Sequence, residues 1–118
     1  MSKLELMYIE FKFGGIRGNG LICGVTRSKS RRTIYYDNLV LKSLGGQGCL
    51  TNYYEETTQE EYWVSHPKKN GEDSLYPEEI YIDENVREEY WRDVRNLPQN
   101  ISVSKFKSAG KYSRKRPV

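Results

Sequence analysis

Cysteine and histidine are scarce in this 118-residue chain, and their scarcity excludes several classes of protein. The chain has two cysteines, Cys23 and Cys49, and a single histidine, His66. Two cysteines are too few for a disulfide-stabilised scaffold, and these three residues cannot close a four-ligand zinc site. We therefore expect reduced, half-buried thiols, and we expect no metal and no cofactor.

Long hydrophobic runs are also missing. No segment approaches about 18 consecutive apolar residues, and the opening MSKLELMYIEFKF has neither an apolar core of signal-peptide length nor a small-residue cleavage site. These features favour a cytoplasmic protein that does not contact membranes. The length fits one domain that buries its own core.

Tyrosine and charge, in contrast, are abundant. Aromatic residues make up 13% of the chain, with ten tyrosines, which argues against a wholly disordered protein. The charge is uneven: the net value is +2 over residues 1–60, −5 over 61–97 and +6 over 98–118. This distribution predicts an acidic central segment and a basic, mobile tail at 105–118. A local basic cluster in the first half comprises Arg27, Lys29, Arg31 and Arg32.

Alternation of apolar and polar residues predicts a β-rich fold. Residues 7–13 alternate with a period of two, which indicates a strand with one buried face, and the glycines between 14 and 20 suit a tight reversal into a second strand. Further strands are expected within TIYYDNLVLKSL, CLTNYY and EYWVS, separated by turn-like segments. We predict an α+β fold over residues 1–104, with an antiparallel sheet of four to five strands arranged as a meander or a partly open barrel.

One helix is expected at about 84–96. Asp83 is a candidate N-cap, and Pro98 would stop the helix. The apolar stripe that would pack on the sheet consists of Val86, Tyr90, Val94 and Leu97. The preceding stretch EYWVSHPKKNGEDSLYP predicts a strand ending at Ser65, a turn around Asn70 and Gly71, and a short return strand at 74–76.

Catalytic motifs are incomplete. The glycines of GNGLICG lack the helix that a dinucleotide fingerprint requires, and His66 has no nucleophile that the sequence places beside it. The acidic residues carry no mark that separates a catalytic carboxylate from a solvated face. We therefore lean towards a protein that is not an enzyme.

Pairs of adjacent aromatic residues give the strongest functional signal. They occur at 35–36, 53–54 and 62–63, each on a candidate strand, so one member of each pair must point away from the core. Exposed aromatic side chains beside basic residues can stack nucleic-acid bases, or they can anchor a protein partner. The competing interpretation is that a helix covers this second face or that the tyrosines only pair across strands.

These observations predict a non-enzymatic binding module that contacts nucleic acid or a nucleoprotein complex. The predicted contact residues are Arg27, Lys29, Arg31, Arg32, Tyr35, Tyr54, Trp63, Lys68, Lys69, Lys111, Arg114, Lys115 and Arg116. The alternatives are a small regulator or inhibitor that presents its acidic segment to a protein partner, and, ranked last, a small hydrolase-type enzyme that uses His66. The oligomeric state does not follow from the sequence.

Overall fold

A closed six-stranded antiparallel barrel forms the body of the protein. The computed structural model describes residues 4–13, 16–45, 51–74 and 78–108. The barrel strands are β1 (Glu5–Phe13), β2 (Ile16–Arg27), β3 (Thr33–Tyr36), β4 (Leu39–Ser43), β5 (Tyr53–Glu55) and β6 (Glu61–Ser65). Each strand pairs with the next, and β6 pairs with β1. The predicted antiparallel meander is confirmed, but the sheet has more strands than predicted and closes fully.

Two further strands extend the sheet beyond the barrel. Strand β7 (Glu78–Ile82) runs parallel to β2, and β8 (Lys105–Ser108) pairs antiparallel with β7. The first residues of the predicted basic tail therefore form a strand. The four tail contacts from Lys111 to Arg116 lie outside the described residues, as does most of the return strand predicted at 74–76.

The fold has two hydrophobic clusters, one on each face of β1 and β2. The barrel core contains Met7, Ile9, Cys23, Val25, Ile34, Leu41, Tyr62 and Val64. The outer cluster contains Tyr8, Ile22, Ile80, Ile82, Val86, Tyr90 and Trp91. The prediction that β1 buries only one face is wrong, because the layer formed by β7, β8 and the helix covers the other face and leaves Tyr8 0% exposed.

Gly20 has a different role from the turn that its spacing predicts. It lies within β2, opposite Glu10 of β1. A Cβ atom at this position would overlap the ring of Tyr8, which packs directly over the glycine. The glycine is thus needed for close approach of a buried aromatic ring to the backbone, which is a known use of glycine inside strands.

The predicted helix forms, but it is not a continuous α-helix. Helix α1 (Glu84–Glu89) passes into a π-helical turn at Tyr90–Val94, and a 3₁₀ turn follows at Pro98–Asn100. The predicted stripe is confirmed: Val86 and Tyr90 are buried, and Val94 and Leu97 pack against the outer cluster. Tyr90 and Trp91, the first two residues of the π-helical turn, are both buried.

Asp83 occupies the N-cap position without capping the helix by its side chain. Its carboxylate instead accepts a hydrogen bond of 2.5 Å from the hydroxyl of Tyr36. Burial, together with this carboxylate, raises the pKa of Tyr36 well above its usual value. The predicted capping interaction is therefore replaced by a contact that ties the start of the helix to strand β3.

Candidate nucleic-acid interface

The pleat of the barrel strands separates the members of each aromatic pair. Tyr36, Tyr53 and Tyr62 pack in or against the barrel core. Their neighbours Tyr35, Tyr54 and Trp63 lie on the opposite face of the same strands. Trp63 packs against the outer cluster and is half-buried. Tyr35, 43% exposed, and the half-buried Tyr54 are thus the two aromatic side chains of this set that the second layer does not take up.

Lys42 lies between these two tyrosines on the outer face of the barrel. Lys42 is the direct cross-strand neighbour of Tyr54 on β5. Tyr35 on β3 pairs with Val40, which precedes Lys42 by two residues on β4, so Tyr35 is a diagonal neighbour of Lys42. Direct cross-strand neighbours have Cβ atoms about 5 Å apart, and diagonal neighbours about 7–8 Å. The side chain of Lys42 is therefore flanked by an aromatic ring on each side.

A surface pocket of about 390 Å³ opens at the end of these strands. It is lined by Arg32, Thr33, Lys42, Ser43, Gly45 and Tyr54. Its walls thus offer two cationic groups, two hydroxyls and one aromatic ring. Cations and hydroxyls are the usual partners of phosphate oxygens, and an aromatic ring offers a face for a base.

The backbone before β3 holds Arg32 at the edge of the pocket. The N–H of Ser28 donates to the carbonyl of Thr33 over 3.0 Å, and the N–H of Arg31 donates to the carbonyl of Ser28 over 2.9 Å. The carbonyl of Arg32 accepts a bond of 3.0 Å from the N–H of Ser43. These bonds tie the loop to both neighbouring strands, so the exposed guanidinium extends from an ordered backbone.

The two cations of the pocket differ in their neighbours. Lys42 makes an exposed ion pair of 3.1 Å with Glu56, and this hydrogen bond and the charge of Glu56 raise the pKa of the ammonium. Arg32 makes no ion pair with any residue that the structure describes. Exposed ion pairs contribute little net stability, so an incoming anion can replace Glu56 as the partner of Lys42.

One member of the predicted basic cluster, Arg32, lines this pocket, whereas Arg27 and Arg31 are bonded to Glu5. Arg27 is half-buried, and its Nε donates to Glu5 Oε1 over 2.8 Å; Arg31 reaches the same oxygen over 3.3 Å. Burial alone would raise the pKa of Glu5, but the bond from Arg27 and the two positive charges outweigh it and lower the pKa. Lys29 and Arg32 are the members exposed without such a contact.

The structure places Lys68 and Lys69 in the loop that follows β6. Lys68 is half-buried, and its backbone N–H donates to the carboxylate of Asp73 over 2.6 Å, while Lys69 is exposed at the turn. The turn itself is confirmed, with Gly71 at a φ of 76°. No contact among the described residues joins these lysines to the pocket.

His66 and Cys23 do not form a catalytic pair. His66 is exposed, with Nδ1 3.8 Å from a carboxylate oxygen of Glu5, whereas Cys23 is fully buried in the barrel core. Burial raises the pKa of the Cys23 thiol to about 12, which disfavours the reactive thiolate. Cys49 lies outside the described residues.

The pocket contains residues that the sequence did not single out. Lys42, Thr33 and Ser43 were not predicted as contacts, although Lys42 stands at an outward position of the predicted strand. That alternation is the signal that points to Lys42. Within the described ranges, no three histidine, cysteine or acidic residues come together as metal ligands, and no helix is long and apolar enough to cross a membrane.

Comparisons of this chain with protein-family models, with curated proteins and with solved structures found no match.

Proposed function

We propose that this protein is a nucleic-acid-binding module whose contact surface is the outer face of β3, β4 and β5. The observation that carries the proposal is the pocket that Arg32, Lys42 and Tyr54 line together. Basic side chains supply most of the affinity for phosphate, and aromatic rings bind bases regardless of sequence. Tyr35, exposed on β3, and Lys29, exposed in the loop before β3, add to this proposed surface.

The acidic segment supports the protein-partner alternative less well. Two of its exposed carboxylates, Glu88 and Asp93, are both bonded to Arg92, over 2.8 Å and 2.9 Å. The ion pair between Glu88 and Arg92 thus reduces the negative potential that a basic partner would recognise. No comparable set of internal partners covers Arg32 in the described part of the chain.

Binding of a fluorescein-labelled oligonucleotide of mixed sequence, measured by anisotropy from 50 to 300 mM NaCl, tests the proposal. We expect affinity to fall steeply with salt, because each phosphate contact contributes a slope of roughly −0.7 to −0.9 in a plot of log K against log salt. Absence of binding at the lowest salt concentration would refute the proposal.

Lys42→Glu locates the binding surface, with Lys105→Glu as a matched control. Both lysines lie on strands, are about half exposed and pair with a glutamate, Glu56 in one case and Glu79 in the other. The two variants carry the same charge change, so a larger loss of affinity for Lys42→Glu places the contact on the β3–β5 face. Equal losses would indicate diffuse attraction and would overturn the proposed surface.

A further inference from the structure

The geometry of the β3–β5 face points to a single-stranded ligand, and we infer that one nucleotide sits in the pocket, its phosphate between Arg32 and Lys42 and its base on Tyr54, while Tyr35 stacks a neighbouring base. This inference rests on the proposed function and specifies its ligand. The alternative ligand is a duplex, in which adjacent base pairs cover the faces of each base.

The position of the two tyrosine rings favours a single-stranded ligand. The rings of Tyr35 and Tyr54 lie on the outer face of the barrel, on either side of Lys42. A tyrosine ring can stack only on a base whose own face is free, and in a duplex those faces are covered by the adjacent base pairs. The two rings therefore add affinity for a single strand and add nothing for a duplex.

The spacing of the rings supports two separate stacking positions. Strands β3 and β5 are both neighbours of β4, so they lie two strand spacings apart, roughly 9–10 Å. Tyr35 is also offset from Tyr54 by two residues along the strands, so the two positions lie roughly 12 Å apart and each ring can receive a different base of one strand. The amino group of Lys42 lies between the two positions, where it can reach the phosphate that links the bases.

The width of the β3–β5 face also favours a single-stranded ligand. The major groove of DNA admits a helix or a two-stranded ribbon. Here the contact face is made of three adjacent strands, and β2 and β6 continue the barrel on either side. A broad sheet of this kind cannot enter the groove to read base edges, but it can support an extended strand laid across it.

The chemistry of the pocket matches one nucleotide unit. Guanidinium and ammonium groups bind phosphate oxygens, and the hydroxyls of Thr33 and Ser43 can bond either the phosphate or the sugar. A volume of about 390 Å³ is at the lower end of the range for small-ligand sites. Tyr54 is the direct cross-strand neighbour of Lys42, so the base and the phosphate of one nucleotide can reach their partners together.

The test compares a labelled 12-nucleotide single strand with the duplex formed by the same sequence, using the wild-type chain and Tyr35→Ala. We expect the single strand to bind more tightly, and Tyr35→Ala to weaken that binding by about tenfold to a hundredfold. The affinity for the duplex should not change. Tyr35→Phe retains the ring and should keep the wild-type affinity.

Tyr81→Ala is the matched control for an exposed tyrosine. Tyr81 is 38% exposed on β7, and the ammonium of Lys105 lies 5.6 Å from its ring centre, so it repeats the tyrosine–lysine pair away from the pocket. This variant should bind the single strand as the wild type does. Because Tyr35 is exposed, its variant should keep the native thermal unfolding midpoint, which is checked by circular dichroism.

The outcomes separate this inference from the proposed function. If the duplex binds as tightly as the single strand, or if Tyr35→Ala retains full affinity while Lys42→Glu loses it, nucleic-acid binding stands and the single-strand inference fails. If neither nucleic acid binds, the proposed function fails and the inference fails with it. A single oligonucleotide with 2-aminopurine in place of one adenine adds a direct readout, since its emission should fall on binding only when the base stacks.

Discussion

Replacing Asp73 with asparagine is expected to stabilise the protein at neutral pH. Asp73 is 3% exposed, and one of its oxygens accepts a bond of 2.6 Å from the N–H of Lys68. The other oxygen is buried and has no hydrogen-bond partner within the described chain. Burial raises the pKa of this carboxyl to about 6, against the opposing effects of the Lys68 N–H and the charge of Arg95.

The direction of the pH dependence follows from this raised pKa. Between the ordinary value of 3.8 and about 6, the folded protein keeps the proton on Asp73 while the unfolded chain releases it. The free energy of unfolding therefore falls as the pH rises through this interval, and the full penalty is present above pH 6. One pKa unit corresponds to about 1.4 kcal/mol, so the penalty at pH 7.5 is roughly 3 kcal/mol.

Asparagine removes the charge and retains an oxygen for the Lys68 N–H. At pH 7.5, Asp73→Asn should raise the free energy of unfolding by about 1–3 kcal/mol, and the part of this difference that comes from the charge should fall to about 0.5 kcal/mol at pH 4. Urea unfolding followed by tryptophan fluorescence, to which the buried Trp91 and the half-buried Trp63 both contribute, measures this difference from pH 4 to 7.5. The contributions of groups that titrate identically in the wild type and the variant cancel when the two free energies of unfolding are subtracted.

Two results would contradict a destabilising, buried carboxylate at Asp73. One is a pair of stability curves that run parallel over the whole pH range, which would mean that the carboxyl titrates alike in the folded and unfolded chains. The other is an asparagine variant that is less stable than the wild type at pH 7.5. Asp73→Ala serves as a control: it should be less stable than Asp73→Asn, because it leaves the Lys68 N–H without its acceptor.

Three further predictions concern the barrel and its outer layer. Gly20→Ala should cost about 1–3 kcal/mol in urea unfolding, since the added methyl group overlaps the buried Tyr8 ring, and an unchanged midpoint would contradict that packing. Tyr36→Phe should cost about 1–2 kcal/mol through loss of the bond to Asp83; equal stability would show that the bond contributes nothing net. Cys23 should stay unmodified by iodoacetamide at pH 8 in the folded protein, because burial raises the pKa of its thiol to about 12. Peptide mass spectrometry should detect modification of Cys23 only after unfolding in guanidinium. Labelling of Cys23 in the folded protein would contradict this burial.

The local patterns of the sequence predicted most strands because each pattern reflects a short-range constraint. The segment EYWVS forms β6 as predicted, and TIYYDNLVLKSL forms β3 and β4 around a two-residue turn at Asp37 and Asn38. Asp37 adopts a φ of 52°, a conformation that aspartate tolerates in such hairpins. Turn chemistry and alternation are legible without knowledge of the distant neighbours.

The closure of the barrel and the second layer were not predictable in the same way. The pairing of β6 with β1 joins residues more than fifty positions apart, and the parallel pairing of β7 with β2 spans a similar distance. Alternation shows that a strand has two faces, but it does not show what covers each face. For that reason the burial of Tyr8, and of Asp73 among many acidic residues, becomes visible only in the folded chain.

Some features of the candidate site can be predicted from the sequence, and others are visible only in the fold. Sequence alone is enough to predict that one member of each aromatic pair faces outward and that Arg32 belongs to a basic cluster, because these features depend on strand geometry and local composition. The folded chain is needed to show that Trp63 packs against the second layer, that Arg27 is paired with Glu5, and that Arg32, Lys42 and Tyr54 share one pocket. Strand register and layer packing bring together residues from separate strands, and no local pattern records which strands become neighbours.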